Sequence, residues 1–354
     1  MDLTSYTKEE LENLIVEELG DKKFRAGQVY EWIHKKHVIS YDEMLNVPKA
    51  LKEKLESVAP MNSPEIITFQ ESKIDGTRKY LYKLYDNQVI ESVFMRYKHG
   101  NSVCISSQVG CRMGCRFCAS TLDGLVRNLT AGEMLMQVYG IERHTGERVS
   151  NVVVMGTGEP LDNYDNLVKF VRMLSDEGGT NISQRNITVS TCGLVPKIDE
   201  LADEDLQITL ALSLHASNQE KRESLMPIAK KYDIHEAVDA CRRYFDKTGR
   251  RISFEYSLVS GKNDTAEDAA ELSKLIKGIN CHVNLIPVNP IKERDYEAPD
   301  RAAVIDFKER LEKNGINVTI RREMGRDIDG ACGQLRKKYM SKVGEEDEDS
   351  RTDG

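Results

Sequence analysis

The chain has 354 residues, enough to bury a large core and to form one catalytic domain with a smaller appendage. Its 50 basic and 58 acidic side chains give a net charge of −8, so any RNA partner must bind at a local basic patch. We find neither a long apolar run nor a signal-like leader, and therefore expect a cytoplasmic protein whose eight cysteines are thiols.

Two accessory regions are predicted ahead of the main domain. Residues 1–60 have apolar positions at helical spacing, and Thr7 opens a capping box, which predicts a helical module. In residues 61–100, strand-like runs at Thr77–Tyr85 and Gln88–Met95 are joined by an Asp-Asn turn, which predicts a β-hairpin.

Residues 101–340 alternate between strand and helix patterns, which indicates a parallel βα array. The predicted strands are Val103–Gln108, Asn151–Gly156, Asn186–Cys192, Gln207–His215, Arg251–Val259, His282–Asn289 and Asn317–Arg322. Such an array is α/β and fits either a partial barrel or an open doubly wound sheet. The acidic residues of 341–354 predict a disordered, solvated tail.

A cysteine-rich loop is predicted after the first strand of this array. Cys111, Cys115 and Cys118 offer three thiolates at x3 and x2 spacing, one fewer than a structural zinc site uses. A four-iron cluster held by three cysteines instead keeps one iron open for substrate. A four-thiolate zinc site that also uses the upstream Cys104 is the alternative.

Small and polar residues follow several later strands. Gly158 and Glu159 come after the second strand, and Ser190 lies near the end of the third. Ser213 and His215 end the fourth. Each alone is typical of a tight turn or a helix N-cap. Because the carboxyl ends of parallel strands lie at one rim, we expect these residues to converge on a pocket.

The remaining cysteines fall into two classes. Cys332 lies among small residues in a loop after the last strand, so we interpret it as reactive. Cys192, Cys241 and Cys281 have apolar neighbours, and we predict that they belong to the core.

These motifs together resemble those of the radical S-adenosylmethionine superfamily. The cysteine loop, the Gly-Glu-Pro sequence after the second strand and the βα array carry that resemblance. The additional Cys104, Cys332 in its loop, the strand-end Ser-Leu-His and the helical module are similar to the RlmN-type branch. Thr157 and Gly330 depart from that branch, which has methionine and alanine there. The resemblance implies a partial (β/α)6 barrel with an N-terminal helical accessory module that binds RNA and a β-hairpin.

The resemblance also implies the roles of individual residues. Cys111, Cys115 and Cys118 would hold a [4Fe-4S] cluster. The residues expected to contact S-adenosylmethionine are Gly158, Glu159, Ser190, Ser213, Leu214, His215 and Asn289. Cys332 would carry the methyl group, Cys104 would be its disulfide partner, and Glu91 matches the proposed base.

The RlmN-type reaction is methylation of adenine C2 in 23S ribosomal RNA and in transfer RNA. The resemblance implies two S-adenosylmethionine molecules per turnover: one methylates Cys332, and the other is cleaved to a radical that activates the methyl group. A transient protein–RNA adduct would then be resolved by Cys104. We expect a monomer that receives electrons from a reductant such as flavodoxin.

Basic and aromatic residues near Cys332 are candidate RNA contacts. The cations are Arg321, Arg322, Arg326, Arg336, Lys337 and Lys338, and the candidate stacking residues are Tyr97 and Phe117. The sister Cfr-type branch, which methylates adenine C8, usually has Gly-Glu-Ala, whereas Pro160 follows Glu159 here. Two further hypotheses are a methylthiolating enzyme and a zinc-stabilised RNA-binding protein.

Overall fold

The computed structural model describes residues 1–289, 295–329 and 333–341. Its helices are α1 (Lys8–Asn13), α2 (Phe24–His34), α3 (Lys49–Val58), α4 (Ala131–Thr145), α5 (Tyr164–Leu174), α6 (Val195–Ala202), α7 (Gln219–Leu225), α8 (Ile234–Thr248), α9 (Ala266–Leu275), α10 (Arg301–Lys313) and α11 (334–341). A π-helical turn, Leu14–Glu18, continues α1. The 3-10 helices are Leu3–Ser5, Tyr41–Glu43, Ala119–Thr121, Pro160–Asn163, Gln184–Asn186 and Pro227–Lys230.

The strands are β1 (Glu65–Glu71), β2 (Arg78–Lys83), β3 (Val89–Tyr97), β4 (Gly100–Cys104), β5 (Gln108–Gly110), β6 (Leu125–Asn128), β7 (Val149–Val154), β8 (Ile187–Thr191), β9 (Thr209–Ser213), β10 (Ile252–Leu258), β11 (Cys281–Pro287) and β12 (Asn317–Ile320). Ten of them form one sheet in the order β1-β2-β3-β4-β7-β8-β9-β10-β11-β12, and β5 pairs with β6. Strands β1 to β4 are antiparallel neighbours, and the later pairs are parallel.

The order of the parallel strands distinguishes between the two α/β arrangements. From β4 to β12 the strands follow one another in chain order without a reversal. A doubly wound sheet reverses its strand order at a switch point, whereas successive right-handed crossovers in one direction place the helices on a single face. The α/β prediction is confirmed, and the array is of the partial-barrel kind.

The predicted hairpin is also confirmed. β2 and β3 pair in antiparallel register from Lys83 opposite Val89 to Arg78 opposite Phe94. Asn87 in the turn has a φ of 63°, a left-handed conformation that asparagine tolerates. β1, which the sequence analysis did not predict, extends the hairpin, and β3 joins it to the barrel through β4.

The first barrel strand is placed too late in the sequence-based prediction. It was expected at Val103–Gln108, but β4 ends at Cys104. The side-chain amide of Gln137 accepts from the N–H of Ser106 and donates to its carbonyl, both at 2.9 Å. Because this amide occupies the backbone groups of Ser106, the ladder stops and Gln108 starts the separate strand β5.

The barrel strands have one apolar and one polar face. β10 reads Ile-Ser-Phe-Glu-Tyr-Ser-Leu, and its apolar residues belong to the main hydrophobic core. Tyr256 of this strand packs against Phe307 of α10, with ring centroids 5.4 Å apart. Since side chains alternate along a strand, Glu255 and its serine neighbours lie on the opposite, inner face.

The N-terminal helices share this core with the barrel. The capping boxes at Thr7 and Thr130 are both formed. Ser5 accepts a hydrogen bond of 3.0 Å from the N–H of Gly132, at the start of α4. Glu10 pairs with Lys169 of α5 at 2.6 Å. None of the helices in the described ranges has the length and hydropathy of a membrane span.

Candidate functional site

The cysteine loop, residues 111–118, is enclosed by the ribbon of β5 and β6. These strands pair on either side of the loop, and the N–H of Cys111 donates to the carbonyl of Gly124 at 2.8 Å. Gly110 has a φ of +76°, and a Cβ atom there would lie 1.9 Å from the Gly124 oxygen. The two ends of the loop therefore approach so closely that only glycine fits at Gly110.

The three thiols of the loop lie within electrostatic range of one another. Burial raises the pKa of Cys111 to about 12 and raises that of Cys115 as well, and the neighbouring Cys118 adds to both shifts. Bound metal must therefore displace protons from these thiols. Among the described residues, no three His, Cys, Asp or Glu side chains converge as ligands of a single metal ion, the four-thiolate set with Cys104 included.

Helix α7 and the turn after it form a floor under the cysteine loop. The N–H of Arg116 donates to the carbonyl of Leu225 at 2.9 Å. Cys115 packs beside Cys192 and Met226 in a small buried cluster. Cys192, like Cys241 and Cys281, is buried as predicted. Cys115 is therefore buried against this floor.

Arg222, on the same helix, is a functional candidate that the sequence analysis missed. Its side chain is fully buried, and its Nη2 donates to the carbonyl of Cys192 at 2.6 Å. Its Nε and Nη1 have no hydrogen-bond partner among the described residues. Burial lowers the pKa of Arg222, but a guanidinium still carries its charge in a protein. A charged residue in a short polar helix is ordinarily expected on the protein surface. The sequence therefore contains no clear signal that Arg222 is buried.

The loop after β7 is packed against the exit of β4. A Cβ atom at Gly156 would lie 2.7 Å from the carbonyl oxygen of Ile105, and one at Gly158 would lie 2.7 Å from the Ser107 hydroxyl. Gly158 was predicted to contact S-adenosylmethionine, and the structure gives a packing reason for both glycines. Thr157, a departure from the RlmN-type motif, lies 3.2 Å from the Ser120 hydroxyl just after the cysteine loop.

Glu159 joins this loop to the end of β8. Its carboxylate accepts from the N–H of Cys192 at 2.7 Å and from that of Leu161 at 3.1 Å. Its own N–H donates to the side chain of Gln108 at 2.8 Å. Burial raises the pKa of Glu159. The residue connects three strand ends at the rim beside the cysteine loop.

His215 faces the cysteine loop. Its ring meets Phe117 edge to face, with centroids 4.8 Å apart. Its Nδ1 accepts from the N–H of Ser257 at 2.9 Å. Burial and the nearby Arg222 lower the pKa of His215 to about 3, so the ring is neutral with its proton on Nε2. Leu214, a predicted ligand contact, is fully buried, and its N–H donates to the carbonyl of Glu255 on β10.

A row of polar residues crosses the inner face of the barrel. The strand register aligns Ser213, Glu255, Asn284 and Thr319 on β9 to β12. Ser190 on β8 extends the row, with its hydroxyl 3.2 Å from that of Ser213. Asn284 donates to the Glu255 carboxylate at 2.8 Å, and burial raises the pKa of Glu255.

The polar row was not predicted from the sequence beyond Ser190 and Ser213, although the strands contain a signal for it. Parallel strands that are buried on both faces read as continuous apolar runs. In β10 and β11 polar residues instead alternate with apolar ones, which indicates a polar interior. Asn289, a predicted ligand contact, is exposed just beyond β11 at this rim.

Lys79 and Glu91 form a buried ion pair between β2 and β3. Their charged atoms are 3.1 Å apart, and the side chains are 0% and 5% exposed. The Glu91 carboxylate also accepts from the N–H groups of Gly333 at 2.6 Å and Arg336 at 2.5 Å. Lys79 also donates to the carbonyl of Asp329 at 2.8 Å. Cys332 itself lies outside the described residues. Of the two described residues that flank this gap, Asp329 is bonded to Lys79 and Gly333 to Glu91.

Further residues of the hairpin fix the same segment. Gln70 exchanges two hydrogen bonds of 2.9 Å with Asp329, and Ser72 donates to Asp327 at 2.6 Å. Asp75 accepts from the N–H of Gly325 at 3.0 Å. We call this set the hairpin clamp: Gln70, Ser72, Asp75, Lys79 and Glu91, which together hold residues 325–329 and 333–336.

The hairpin clamp brings this segment to the cysteine loop. A Cβ atom at Gly333 would lie 3.1 Å from the Ala119 Cβ and 3.4 Å from the Ser120 nitrogen, directly after Cys118. Cys104 lies opposite Val93 on β3, the strand that carries Glu91. The chain neighbour of Cys332 is thus in contact with the residues that directly follow the cysteine loop.

The candidate RNA contacts differ in exposure. Arg321, Arg322, Arg326 and Lys338 are exposed. The side chain of Arg336 is only 11% exposed and pairs with Asp123 at 3.4 Å, which does not fit a phosphate contact. Tyr97 stacks on His99, and Phe117 packs against His215.

The donor set fits a [4Fe-4S] cluster. The three thiols interact with one another, and the buried cation Arg222, which has no ion-pair partner among the described residues, lies near Cys115. Thiolate ligands select iron–sulfur clusters, whose net charge is negative, so a nearby guanidinium is compatible with them. Cys111, Cys115 and Cys118 would hold the cluster.

Comparisons with known proteins give the family. Residues 105–276 match the sequence model "Radical SAM superfamily", and residues 1–61 match "Ribosomal RNA large subunit methyltransferase N-terminal domain". A Lachnospira eligens protein described as "Probable dual-specificity RNA methyltransferase RlmN" is 65% identical over 93% of this chain and 94% of its own. A Lachnoclostridium phytofermentans protein of the same description is 60% identical over 97% and 96%.

A solved structure agrees with these relatives. A radical SAM methyltransferase from Sphaerobacter thermophilus superimposes with a TM-score of 0.90 at 43% identity, and the match covers 94% of this chain and 98% of that one. The chain belongs to the RlmN family of radical SAM methyltransferases.

Proposed function

We propose that the chain methylates C2 of adenosine in 23S ribosomal RNA and in transfer RNA, by way of a methyl-cysteine and a transient protein–RNA adduct. The observation that carries this is the contact of Gly333 with Ala119 and Ser120, which brings the neighbour of Cys332 against the cysteine loop. A methyl-carrying cysteine must lie beside the group that activates it, because a radical acts only over contact distance.

The cofactors supply chemistry that side chains lack. The cluster and S-adenosylmethionine, when bound, provide a one-electron cleavage that makes a radical able to take hydrogen from a methyl group. Two molecules of S-adenosylmethionine are used per turnover. Ser190 and Ser213 on the inner face and the neutral His215 would orient S-adenosylmethionine, together with Gly158, Glu159, Leu214 through its backbone, and Asn289.

The cysteine pair provides the carrier and the release step. The Cys332 thiolate takes a methyl group from S-adenosylmethionine, which leaves as S-adenosylhomocysteine. After the base is bonded to this carbon and has lost its C2 proton, the Cys104 thiolate attacks the Cys332 sulfur. The bond between this sulfur and the carbon breaks, the electron pair stays with the carbon, and the carbon takes up a proton to become the methyl group of the released RNA as the disulfide forms. The hairpin clamp and the pairing of Cys104 with Val93 support this, because both cysteines belong to segments bonded to β3.

Glu91 is proposed to accept the C2 proton. Its carboxylate has three donors: Lys79 and the N–H groups of Gly333 and Arg336. Lys79 and Gly333 bond to Oε2 and Arg336 bonds to Oε1, so of these three contacts only one falls on Oε1. Because a carboxylate oxygen has two lone pairs, Oε1 can accept the C2 proton while all three contacts are kept.

Each region of the chain has a role in this proposal. Residues 1–60 form the RNA-binding module, 61–100 the hairpin extension and 101–340 the catalytic barrel. The exposed Arg321, Arg322 and Arg326 would neutralise phosphates near the rim, so binding should weaken as salt is raised. A monomer acts in the cytoplasm and receives electrons from a flavodoxin-like protein.

Nucleoside analysis tests the reaction. Protein purified without air and loaded with iron and sulfide is incubated with S-adenosylmethionine, dithionite and unmodified 23S or transfer RNA. Mass spectrometry of the digested RNA should find 2-methyladenosine, and Cys332→Ala is the matched inactive control. Formation of 8-methyladenosine, or no methylated adenosine from fully loaded protein, would refute the proposal.

The adduct is tested with one substitution. Cys104→Ala removes the attacking thiolate but leaves Cys332 and the cluster ligands in place. The variant should accumulate RNA bonded to protein, visible as a shifted band that resists denaturant and disappears with ribonuclease. Normal turnover by Cys104→Ala would remove Cys104 from the mechanism.

A further inference from the structure

Arg222 is a buried cation whose described hydrogen-bond partners are all neutral. Its side chain is fully buried, and its Nη2 reaches the carbonyl of Cys192 at 2.6 Å and that of Ser213 at 3.4 Å. Its Nε and Nη1 have no hydrogen-bond partner among the described residues. A buried charge without a counter-ion costs several kcal/mol, and a guanidinium cannot escape that cost by losing its proton.

The position of Arg222 indicates where a counter-charge would lie. Cys192, whose carbonyl it contacts, packs against Cys115 in the same buried cluster. The N–H of Arg116 bonds to Leu225, one turn further along the helix that carries Arg222. The guanidinium thus lies in the floor of the cysteine loop and acts electrostatically on Cys115.

We propose that Arg222 is the built-in counter-charge of the iron–sulfur cluster and raises its reduction potential. This rests on the proposed function, because it requires a cluster at Cys111, Cys115 and Cys118. Three thiolates leave the cluster with a net negative charge, and one-electron reduction adds another. A nearby buried cation stabilises the reduced form more than the oxidised form, since low dielectric strengthens the interaction.

Substitution of Arg222 should change the redox equilibrium of the cluster, which can be measured without turnover. Arg222→Met removes the charge at similar bulk, and Arg222→Lys retains a charge. With dithionite as electron donor and no S-adenosylmethionine, the reduced-to-oxidised ratio at a fixed potential should fall about tenfold in Arg222→Met. For a one-electron couple this is a shift of about 59 mV to more negative potential. Arg222→Lys should stay within about twofold of wild type.

The measurement is a redox titration of the loaded full-length protein, followed by electron paramagnetic resonance. Arg172→Met is the matched control, because Arg172, which lies on α5, is 57% exposed and pairs with Glu204. It removes the same charge from the surface and should leave the potential unchanged. Iron and sulfide analysis comes first: wild type without a cluster would refute the proposed function, whereas a loaded Arg222→Met with the wild-type potential would overturn only this inference.

If Arg222→Met binds too little iron and sulfide for a redox titration, the stability of the metal-free chain provides a second test. In the metal-free full-length chain Arg222 has no cluster beside it, so Arg222→Met should unfold at a higher urea concentration than wild type. Lower stability of metal-free Arg222→Met would show that the hydrogen bonds to Cys192 and Ser213 are its main role. A potential that changes only when S-adenosylmethionine is present would assign the charge to that ligand instead. Either result overturns the inference.

Discussion

The cysteine loop and the hairpin clamp lie beside each other at the carboxyl edge of the sheet. They differ in how far apart their residues are in the sequence. The loop places its three thiols between Cys111 and Cys118, within one short segment. The hairpin clamp joins Lys79 to Asp329 and Glu91 to Gly333, over 250 and 242 positions of the chain. A site can therefore combine a local ligand set with a carrier that only the folded chain brings to it.

The two regions also treat carboxylates in opposite ways. Beside the loop, burial raises the pKa of Glu159. In the hairpin clamp, burial opposes ionisation, but hydrogen bonds from Gly325 and Thr77 lower the pKa of Asp75 to about 2. A hydrogen bond from Gln70 lowers the pKa of Asp329. The clamp thus depends on ionised carboxylates, whereas the floor of the loop is apolar and contains one buried cation.

The largest expected effect comes from removing a ligand of the loop. Cys115→Ala should reduce bound iron to background and abolish RNA methylation, because two thiolates do not hold a four-iron cluster. Iron, sulfide and the visible absorption spectrum measure this. The matched control is Cys241→Ala on α8, a buried cysteine outside the loop, which should keep its cluster. Full iron loading of Cys115→Ala would contradict the prediction that the three cysteines of the loop hold the cluster.

Removing the cation of the hairpin clamp should have the next largest effect. Lys79→Met leaves the Glu91 carboxylate buried without this counter-ion, and the free energy of unfolding should fall by about 3–5 kcal/mol. Urea unfolding measures the loss, and faster amide hydrogen exchange in residues 333–341 locates it. The double variant Lys79→Met with Glu91→Gln should regain much of it, since the buried charge is gone. Unchanged exchange there would contradict the role of the pair.

This contrast explains how much could be predicted from the sequence. All seven barrel strands were predicted because parallel strands and crossover helices have distinct local patterns. β1 was missed because most of its residues are exposed or half-buried, which leaves no alternation. β4 was misplaced because Gln137, from a later helix, terminates it. Contacts with remote partners have no local pattern.

In the site, too, the features with a local sequence pattern were predicted, and those that depend on remote contacts were not. The cysteine loop and the strand-end residues were predicted from spacing and position. Arg222, Lys79 and Glu255 were missed, since a charged residue in a sequence is ordinarily interpreted as solvated. Their burial depends on elements far along the chain, such as the segment of Asp329, whose carbonyl accepts a hydrogen bond from Lys79.

A smaller effect is expected from the close approach at the base of the loop. Gly110→Ala places a Cβ atom 1.9 Å from the Gly124 carbonyl and should destabilise the protein by about 3 kcal/mol, with weaker cluster retention. Gly146→Ala is the matched control: its φ of +70° is similar, but nothing lies within 4 Å. It should cost about 1 kcal/mol from backbone conformation alone. Equal losses in both variants would show that the loop adjusts without strain.

The smallest expected effect is a pH dependence of the hairpin clamp. Because the pKa of Asp75 is about 2 in the folded chain and about 3.9 in an unfolded one, its contribution to stability is present above about pH 4 and is lost as the pH falls toward 2. Asp75→Asn should therefore be less stable than wild type by about 1 kcal/mol at neutral pH, with solvent screening allowed for.

The gap between Asp75→Asn and wild type should close as the metal-free chain is acidified, which urea unfolding at a series of pH values measures. The protection factor of the Gly325 amide, which is the exchange rate of an unfolded chain at the same pH divided by that of this amide, should fall in the wild type over this pH range, because the protonated carboxyl group is a weaker acceptor of its hydrogen bond. A constant gap down to about pH 2 would mean that the contact depends on geometry rather than charge, and the ionic description of the clamp would then be wrong.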